Sequence, residues 1–182
     1  MGMVAPTYYT ADLVRTLPDD GRRYELVHGE LLVTPAPRAW HQEVVGRLFV
    51  ELRRYLDAQR VGHALMSPAD LSWSDDTLVQ PDVFVVDPAE ARTLDWTRMR
   101  TLLLAVEVLS PSSARADRFS KRRLYQERRV PMYWVVDPDA RLVEVWTPEA
   151  TFPTVETERV AWHPAGATEP LVVDVTELFR PV

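Results

Sequence analysis

The 182-residue chain contains no cysteine. That excludes disulfides, thiolate nucleophiles and cysteine-based zinc or iron–sulfur sites. Histidine is sparse as well: His28, His41, His63 and His163 are scattered and form no close-spaced ligand pair. A bound metal is therefore expected on oxygen ligands, which suit magnesium or manganese. No apolar run approaches the roughly 20 residues that a transmembrane helix needs. The N-terminus, MGMVAPTYYTADLVRTLP, lacks the basic start and apolar core of a signal peptide. The expectation is a cytoplasmic protein without a membrane partner.

Lysine is the most informative scarcity. Of 21 basic residues, twenty are arginine and only Lys121 is lysine. The two are not equivalent, because an ammonium is a compact charge with an adjustable pKa, whereas guanidinium is planar and always charged. Lys121 falls four residues after Asp117 and follows a strand that carries Glu107. This placement favours a chemical role over chance.

Length fits one domain over residues 1–182, large enough to bury its own core. The net charge of -6 argues against an extended nucleic-acid surface, but its distribution is uneven. Between Arg115 and Arg129 seven cations face two acids, a local +5 that leaves -11 on the rest of the chain. Such a helix could meet phosphates. On charge alone a solvated helix paired with acidic neighbours is favoured.

Along the chain, Thr10 can cap a short helix to about Leu17, and Pro18 to Gly21 makes a turn. RRYELVHGELLVTPAP reads as a hairpin turning at His28-Gly29, flanked by Glu25 and Glu30. Either glutamate is ordinarily solvated there, and either could approach a site. From Ala39 to Gln59, Val44, Val45, Leu48, Phe49, Leu52, Tyr55 and Leu56 form a helical stripe that His41 joins and Glu43 avoids. A satisfied core histidine is the commoner reading of His41, with a supporting or substrate-contacting role the sharper one. Gly62 is expected to end that helix region. HALMSPADLSW reads as a strand with polar interruptions.

LVQPDVFVVD is expected to be a strand distorted at Pro81, which cannot donate to a ladder and so aims Asp82. LLLAVEVL is continuously apolar except for Glu107, as in a central strand covered on both faces. A buried carboxylate is costly unless it meets a cation, a metal or a proton. Two of them on successive strands favour a metal. Ser112 or Ser113 can cap the next helix, on which Asp117, Lys121, Leu124, Tyr125 and Arg128 share a face at α-helical spacing. MYWVVD and LVEVWT form a further hairpin, and strands near Val160 and Leu171 to Val175 close the chain. The order implies an α/β (mixed α+β) fold: a central mixed sheet flanked by helices, with an N-terminal hairpin and C-terminal strands.

With these residues in place, the chain resembles the PD-(D/E)XK nuclease superfamily. More closely, it is similar to the bacterial Uma-two family, also called domain of unknown function 820, a restriction-endonuclease-like group. YELVHGEL, the helix at His41, QPDVFVV, VEVLSPSS, DRFSKRRLY and VPMYWVVDP carry the match, from about Tyr24 to Trp146. The resemblance implies a restriction-endonuclease-like core, Asp82 and Glu107 as catalytic carboxylates, and a divalent cation, Mg2+ or Mn2+, on them and on the backbone carbonyl of Val108. The superfamily's lysine position holds Leu109, so Lys121 would supply the cation from the following helix. Glu25, Glu30, His41, Ser110, Asp117 and Tyr125 match further family positions as supporting or substrate-contacting residues. The implied chemistry is endonucleolytic hydrolysis of DNA, with a homodimer expected for cutting both strands. Two alternatives stay open: hydrolysis of RNA, and a nuclease fold kept as a non-catalytic interaction or dimerisation module.

Overall fold

A computed structural model describes residues 8–182. Thr10 caps helix α1 (Ala11–Arg15), its hydroxyl accepting from the Leu13 amide at 3.3 Å. The helix stops two residues short of the expected Leu17. Strands β1 (Arg23–Val27) and β2 (Glu30–Thr34) pair antiparallel through Val27 and Glu30. His28 and Gly29 have φ values of 51° and 77°. Two left-handed residues make the tight turn whose twist matches that of the strands it joins.

Helix α2 (Ala39–Gln59) buries His41, Val44, Val45, Leu48, Leu52 and Leu56, the stripe that the sequence period defines. Its stop differs from the expectation. Arg60 takes the left-handed cap position at φ 59°, its amide bonding to the Leu56 carbonyl at 2.7 Å. Gly62 instead lets the chain cross close over the sheet, since a Cβ there would lie 2.6 Å from Val85 Cγ1.

Strand β3 (His63–Met66) ends well before the HALMSPADLSW segment does, and Leu71 makes only an isolated bridge to Val79. Strand β4 (Val83–Val86) begins after Pro81 and Asp82. The expected strand through that pair is therefore divided: Leu78 bridges to Leu26, Val79 to Leu71, and the ladder resumes at Val83. A missing proline donor excludes Pro81 from an interior strand, so Asp82 sits at the mouth of β4 and not within it. Asp87 caps the short helix α3 (Pro88–Ala91), and β5 (Leu102–Val108) follows.

The next helix is not regular. Residues Ala116–Lys121 form a wide π-helical turn in which the Arg122 amide reaches the Asp117 carbonyl, before α4 (Arg122–Glu127) resumes α geometry. Strands β6 (Tyr133–Asp137), β7 (Leu142–Trp146) and β8 (Thr154–Glu156) complete a six-stranded sheet in the order β3-β4-β5-β6-β7-β8. Only β5 and β6 run parallel, joined through the α4 region, since a parallel pair needs a crossover. Strands β9 (Arg159–Trp162) and β10 (Leu171–Asp174) form a separate hairpin that leads to α5 (Val175–Leu178).

Both faces of the sheet are covered. Helix α2, the β9–β10 hairpin and α5 pack on Val83, Val85, Leu104, Val106 and Trp134. Leu124, Tyr125 and Val27 pack on Phe84, Ala105, Tyr133 and Val135 of the other face. Double coverage explains the unbroken apolar sequence of the central strands. This is the mixed sheet flanked by helices, with N-terminal hairpin and C-terminal strands, that the element order implied. The antiparallel register pairs Val83 with Val106, which sets Asp82 beside the C-terminal end of β5 and Glu107. No helix among the described residues is long and apolar enough to cross a membrane.

The two turn assignments are separable by mutation. Gly62→Ala is expected to cost about 1–3 kcal/mol through overpacking against Val85. Arg60→Gly should be neutral or stabilising by up to about 1 kcal/mol, because glycine adopts the left-handed cap freely. Urea denaturation measures both. Equal, small effects at the two positions would contradict the close approach at Gly62.

Candidate active site

Asp82 is held from three directions. Its Oδ1 accepts from Arg23 Nη1 at 2.9 Å, and its Oδ2 accepts from the Val108 amide at 2.8 Å and faces His41 Nε2 at 3.2 Å. Arg23 comes from β1, His41 from the first turn of α2 and Val108 from the end of β5. One carboxylate thus joins the hairpin, the long helix and the sheet.

Lys121 is the second junction. Its ammonium lies 2.8 Å from Glu25 Oε2, 3.1 Å from Glu107 Oε1 and 3.2 Å from Asp117 Oδ1. The Asp117 contact is an ion pair without a well-directed hydrogen bond, since Oδ1 has no hydrogen-bond partner. Glu25 Oε1 also accepts from the Gln80 amide at 2.8 Å. The Tyr125 hydroxyl donates to Glu107 Oε1 at 3.1 Å, and the Tyr133 hydroxyl donates to the Asp117 carbonyl at 3.0 Å. None of Glu25, Asp82, Glu107, Asp117 and Lys121 is more than 3% exposed. A cavity of about 200 Å³ reaches Glu25, His41, Asp82, Glu107, Val108 and Lys121, between the segments 34–38 and 110–113.

Four buried carboxylates face two fixed cations, Lys121 and Arg23, and the imbalance sets the protonation. Burial alone would raise the pKa of Asp82, but the His41 hydrogen bond and the charges of Arg23, His41 and Lys121 outweigh it and bring it to about 2. Glu107 goes the other way. Burial raises it well above the usual carboxylate range; Lys121 opposes this, while Asp117, Asp82 and Glu25 add to it. Burial also raises Asp117 against the pull of Lys121. Lys121 itself is held well above the ordinary lysine value, because Glu107, Glu25 and Asp117 outweigh the burial that would lower it. The ammonium stays charged, and burial favours the protonated form of Glu107.

The donor chemistry fits a hard divalent cation. Oxygen ligands, a surplus of two negative charges and a cavity open to Asp82, Glu107 and Val108 are what such an ion requires. The arrangement is not closed around an ion: among the described residues no three acidic or imidazole groups stand in ligating geometry. Lys121 and Arg23 stand against the carboxylates instead. At Val108 the contact observed is the amide on Asp82.

The sequence-nominated residues divide. Asp82, Glu107, Lys121, Glu25, His41 and Ser110 line one cavity with Val108. Asp117 and Tyr125 do not line it; Tyr125 is fully buried against Tyr133 at 4.8 Å between ring centres, with its hydroxyl on Glu107. Glu30 is a correction. It remains exposed beside the hairpin turn, next to a different hollow lined by Tyr8, Tyr9 and His28 and away from the cavity that holds Asp82 and Glu107. Leu109, at the superfamily's lysine position, is buried among apolar neighbours.

Arg23, Gln80 and Tyr133 were not nominated by sequence. Arg23 had a signal: it is two residues before Glu25 on β1, and alternate strand residues share a face. The basic helix follows the bland reading. Arg118 binds Glu144 and Asp137 at 2.7 and 2.8 Å, Arg123 binds Glu127 at 2.8 Å, and Arg129 binds Glu149 at 3.2 Å. Arg122 and Arg128 cover the rings of Trp146 and Trp73.

A family model described as "Putative restriction endonuclease", Uma2, matches residues 11–175. The chain belongs to the Uma2 family. The resemblance read from the sequence motifs is thereby borne out. A solved structure from Anabaena variabilis, described as a putative nuclease belonging to DUF820, is similar to this Uma2 chain with a TM-score of 0.76 and 21% identity. That likeness covers 93% of this chain and 97% of the other, and it shows the shared fold. No curated protein matches.

A like-charge cluster costs stability when no metal is bound. The folded pKa of Glu107 lies above its unfolded value, so the folded state binds the extra proton. Stability is then fully present below the unfolded carboxylate pKa and falls as pH rises towards the folded pKa. Glu107→Gln removes that loss while keeping an acceptor for Tyr125. The variant is expected to exceed wild type by about 1 kcal/mol at pH 8, roughly 2–4 °C in Tm, with a smaller gap at pH 5. Metal-free thermal melts at both pH values check this; a variant less stable at pH 8 would contradict it.

Proposed function

We propose that this Uma2 chain is a metal-dependent endonuclease that hydrolyses phosphodiester bonds in DNA. The observation that carries the reading is the meeting of Asp82, Glu107 and Lys121, from three separate elements, on one cavity. The family description and that of the Anabaena variabilis protein agree with it. On this reading Asp82, Glu107 and the Val108 carbonyl hold a magnesium or manganese ion. When bound, such an ion polarises a phosphoryl oxygen and acidifies a water.

The chain's own residues do the rest. Lys121, kept charged by Glu25 and Asp117, donates towards the phosphoryl oxygens as negative charge grows on them. His41 and Arg23 hold Asp82 ionised and fix its orientation. The Tyr125 hydroxyl sets the rotamer of Glu107. To hold such an ion, Asp82 and Glu107 would have to be free of protons and to turn from Arg23 and Lys121 towards it. We further propose that residues 1–182 act as one cytoplasmic catalytic domain. Each chain supplies one site, so cutting both strands of a duplex calls for a homodimer.

Plasmid and single-stranded circular DNA, incubated with magnesium or manganese, test the reading. Asp82→Ala and Lys121→Ala should each lower the cleavage rate by at least about 100-fold. Cleavage that survives both substitutions would overturn the site assignment. If neither DNA is cut and calorimetry detects no bound metal, the fold serves as a non-catalytic interaction module.

A further inference from the structure

The reacting groups lie deep. They are at most 3% exposed, and the cavity above them, about 200 Å³, is bounded by segments 34–38 and 110–113. A second cavity of about 620 Å³ adjoins the first and shares Arg23, Pro35, Ala36, Pro37 and Asp82 with it. Its size is that of a small-ligand pocket, and its walls combine Tyr24 with the polar side chains of Gln42, Gln80 and Asp70. The two together form a cleft between the β1–β2 hairpin and the start of α2.

Free positive charge lies along this cleft. Arg38 is exposed, lines the smaller cavity and has no ion-pair or side-chain hydrogen-bond partner among the described residues. It stands at the N-cap of the 21-residue α2, whose first turn has no side-chain cap. An uncapped helix start presents unpaired amides and a partial positive charge. Arg15 and Arg22 line the larger cavity together with Asp19 and Asp70, and Arg15 is already paired with Asp12 at 2.9 Å. Arg22 is held only by a long exposed contact to Asp20, 3.6 Å, which contributes little. On the basic helix Arg118, Arg122, Arg123, Arg128 and Arg129 bind acids or rings of their own chain, which leaves only Arg115 exposed without such a partner among the described residues, and Arg115 does not line the cleft.

We infer that the cleft takes an unpaired DNA strand, with a phosphate at Arg38 and the start of α2, and the adjoining nucleotide in the larger cavity. The inference rests on the nuclease reading and narrows its substrate. A duplex is a stiff rod that keeps its phosphates on a convex surface. It cannot bring one to carboxylates recessed beneath two loop walls. An unpaired strand bends freely, and its bases can turn into a pocket and stack on an aromatic ring. An unpaired strand is cut at one site, so on this inference the homodimer that duplex cutting would call for is not required.

Fluorescence anisotropy with the full-length Glu107→Gln protein and magnesium tests this. The probes are a fluorescein-labelled 12-nucleotide DNA, its blunt duplex and an RNA of the same sequence. The single-stranded DNA is expected to bind at least tenfold more tightly than the duplex. Arg38→Ala and Arg22→Ala should each weaken that binding about 5-fold and lower the salt slope by about 0.7, the loss of one single-strand phosphate contact. The double variant Arg123→Ala/Arg129→Ala should bind like its parent. Unaltered melting confirms folding of Arg38→Ala, whose side chain has no ion-pair or hydrogen-bond partner among the described residues. Equal or tighter duplex binding, tighter RNA binding, no binding at all, or indifference to Arg38 would each overturn the inference. Single-strand binding that depends on Arg38, without cleavage by wild type, sinks the nuclease reading and leaves the cleft assignment standing. Preferential cleavage of duplex does the reverse.

Discussion

One ammonium holds the interior together. Among the described residues Lys121 is the only group that touches Glu25, Glu107 and Asp117 together, and these come from the hairpin, the central strand and the helix. Remove the charge and three buried carboxylates face one another with no counter-ion. Breaking such a set costs several kcal/mol, far more than an exposed pair contributes. The hairpin depends on this ammonium too, because Glu25 on Lys121 and Arg23 on Asp82 add polar ties to the Leu26–Leu78 bridge and the packing of Val27. Docking of the N-terminal hairpin and assembly of the site are the same event.

A lysine suits this junction where an arginine would not. Three carboxylate oxygens lie 2.8–3.2 Å from the nitrogen, that of Asp117 without a well-directed hydrogen bond, and a compact point charge can face all three at once. A planar guanidinium spreads its charge over a fork and matches one carboxylate at a time. Arg23 behaves accordingly and takes one oxygen of Asp82, whereas Arg118 spreads its fork over two separate acids, Asp137 and Glu144. The π-helical turn at Ala116–Lys121 is the backbone counterpart, carrying both Asp117 and Lys121. Wide turns of this kind recur at functional sites. Here it brings an acid and a base of one helix together at 3.2 Å inside the core.

Much of this was legible because local patterns and burial agree. The α2 stripe, the His28-Gly29 turn and the interrupted apolar runs at Asp82 and Glu107 each carry a local signal, and the structure places them accordingly. The residues that escaped notice act across long stretches of chain. Arg23 meets Asp82 59 positions away, and Gln80 meets Glu25 55 positions away. Nothing in a one-dimensional pattern distinguishes Glu25, which is buried, from Glu30, which is not; the docking face of the hairpin decides. The boundaries went wrong for backbone reasons. Pro81 ended a ladder that hydropathy would have continued, Arg60 took a conformation usually left to glycine, and the π turn broke a helical period.

The charge run shows why composition misleads about partners. Read as sequence, Arg115 to Arg129 is the most cationic stretch of the chain. In three dimensions Asp137, Glu144 and Glu149, all beyond its end, neutralise much of it, and two indole rings cover further guanidinium groups. Short-range pairing of this kind leaves little field at a distance, since an ion pair a few ångströms long is screened within a Debye length of about 8 Å. Arg38 reverses the comparison. It is one cation in an inconspicuous TPAPRAW segment, yet it is exposed, unpaired among the described residues and beside an uncapped helix start. A phosphate responds to unpaired charge next to the reacting groups, not to the number of arginines in a window. The recessed carboxylates and the adjoining cleft therefore say more about how a substrate enters than the helix that first draws attention.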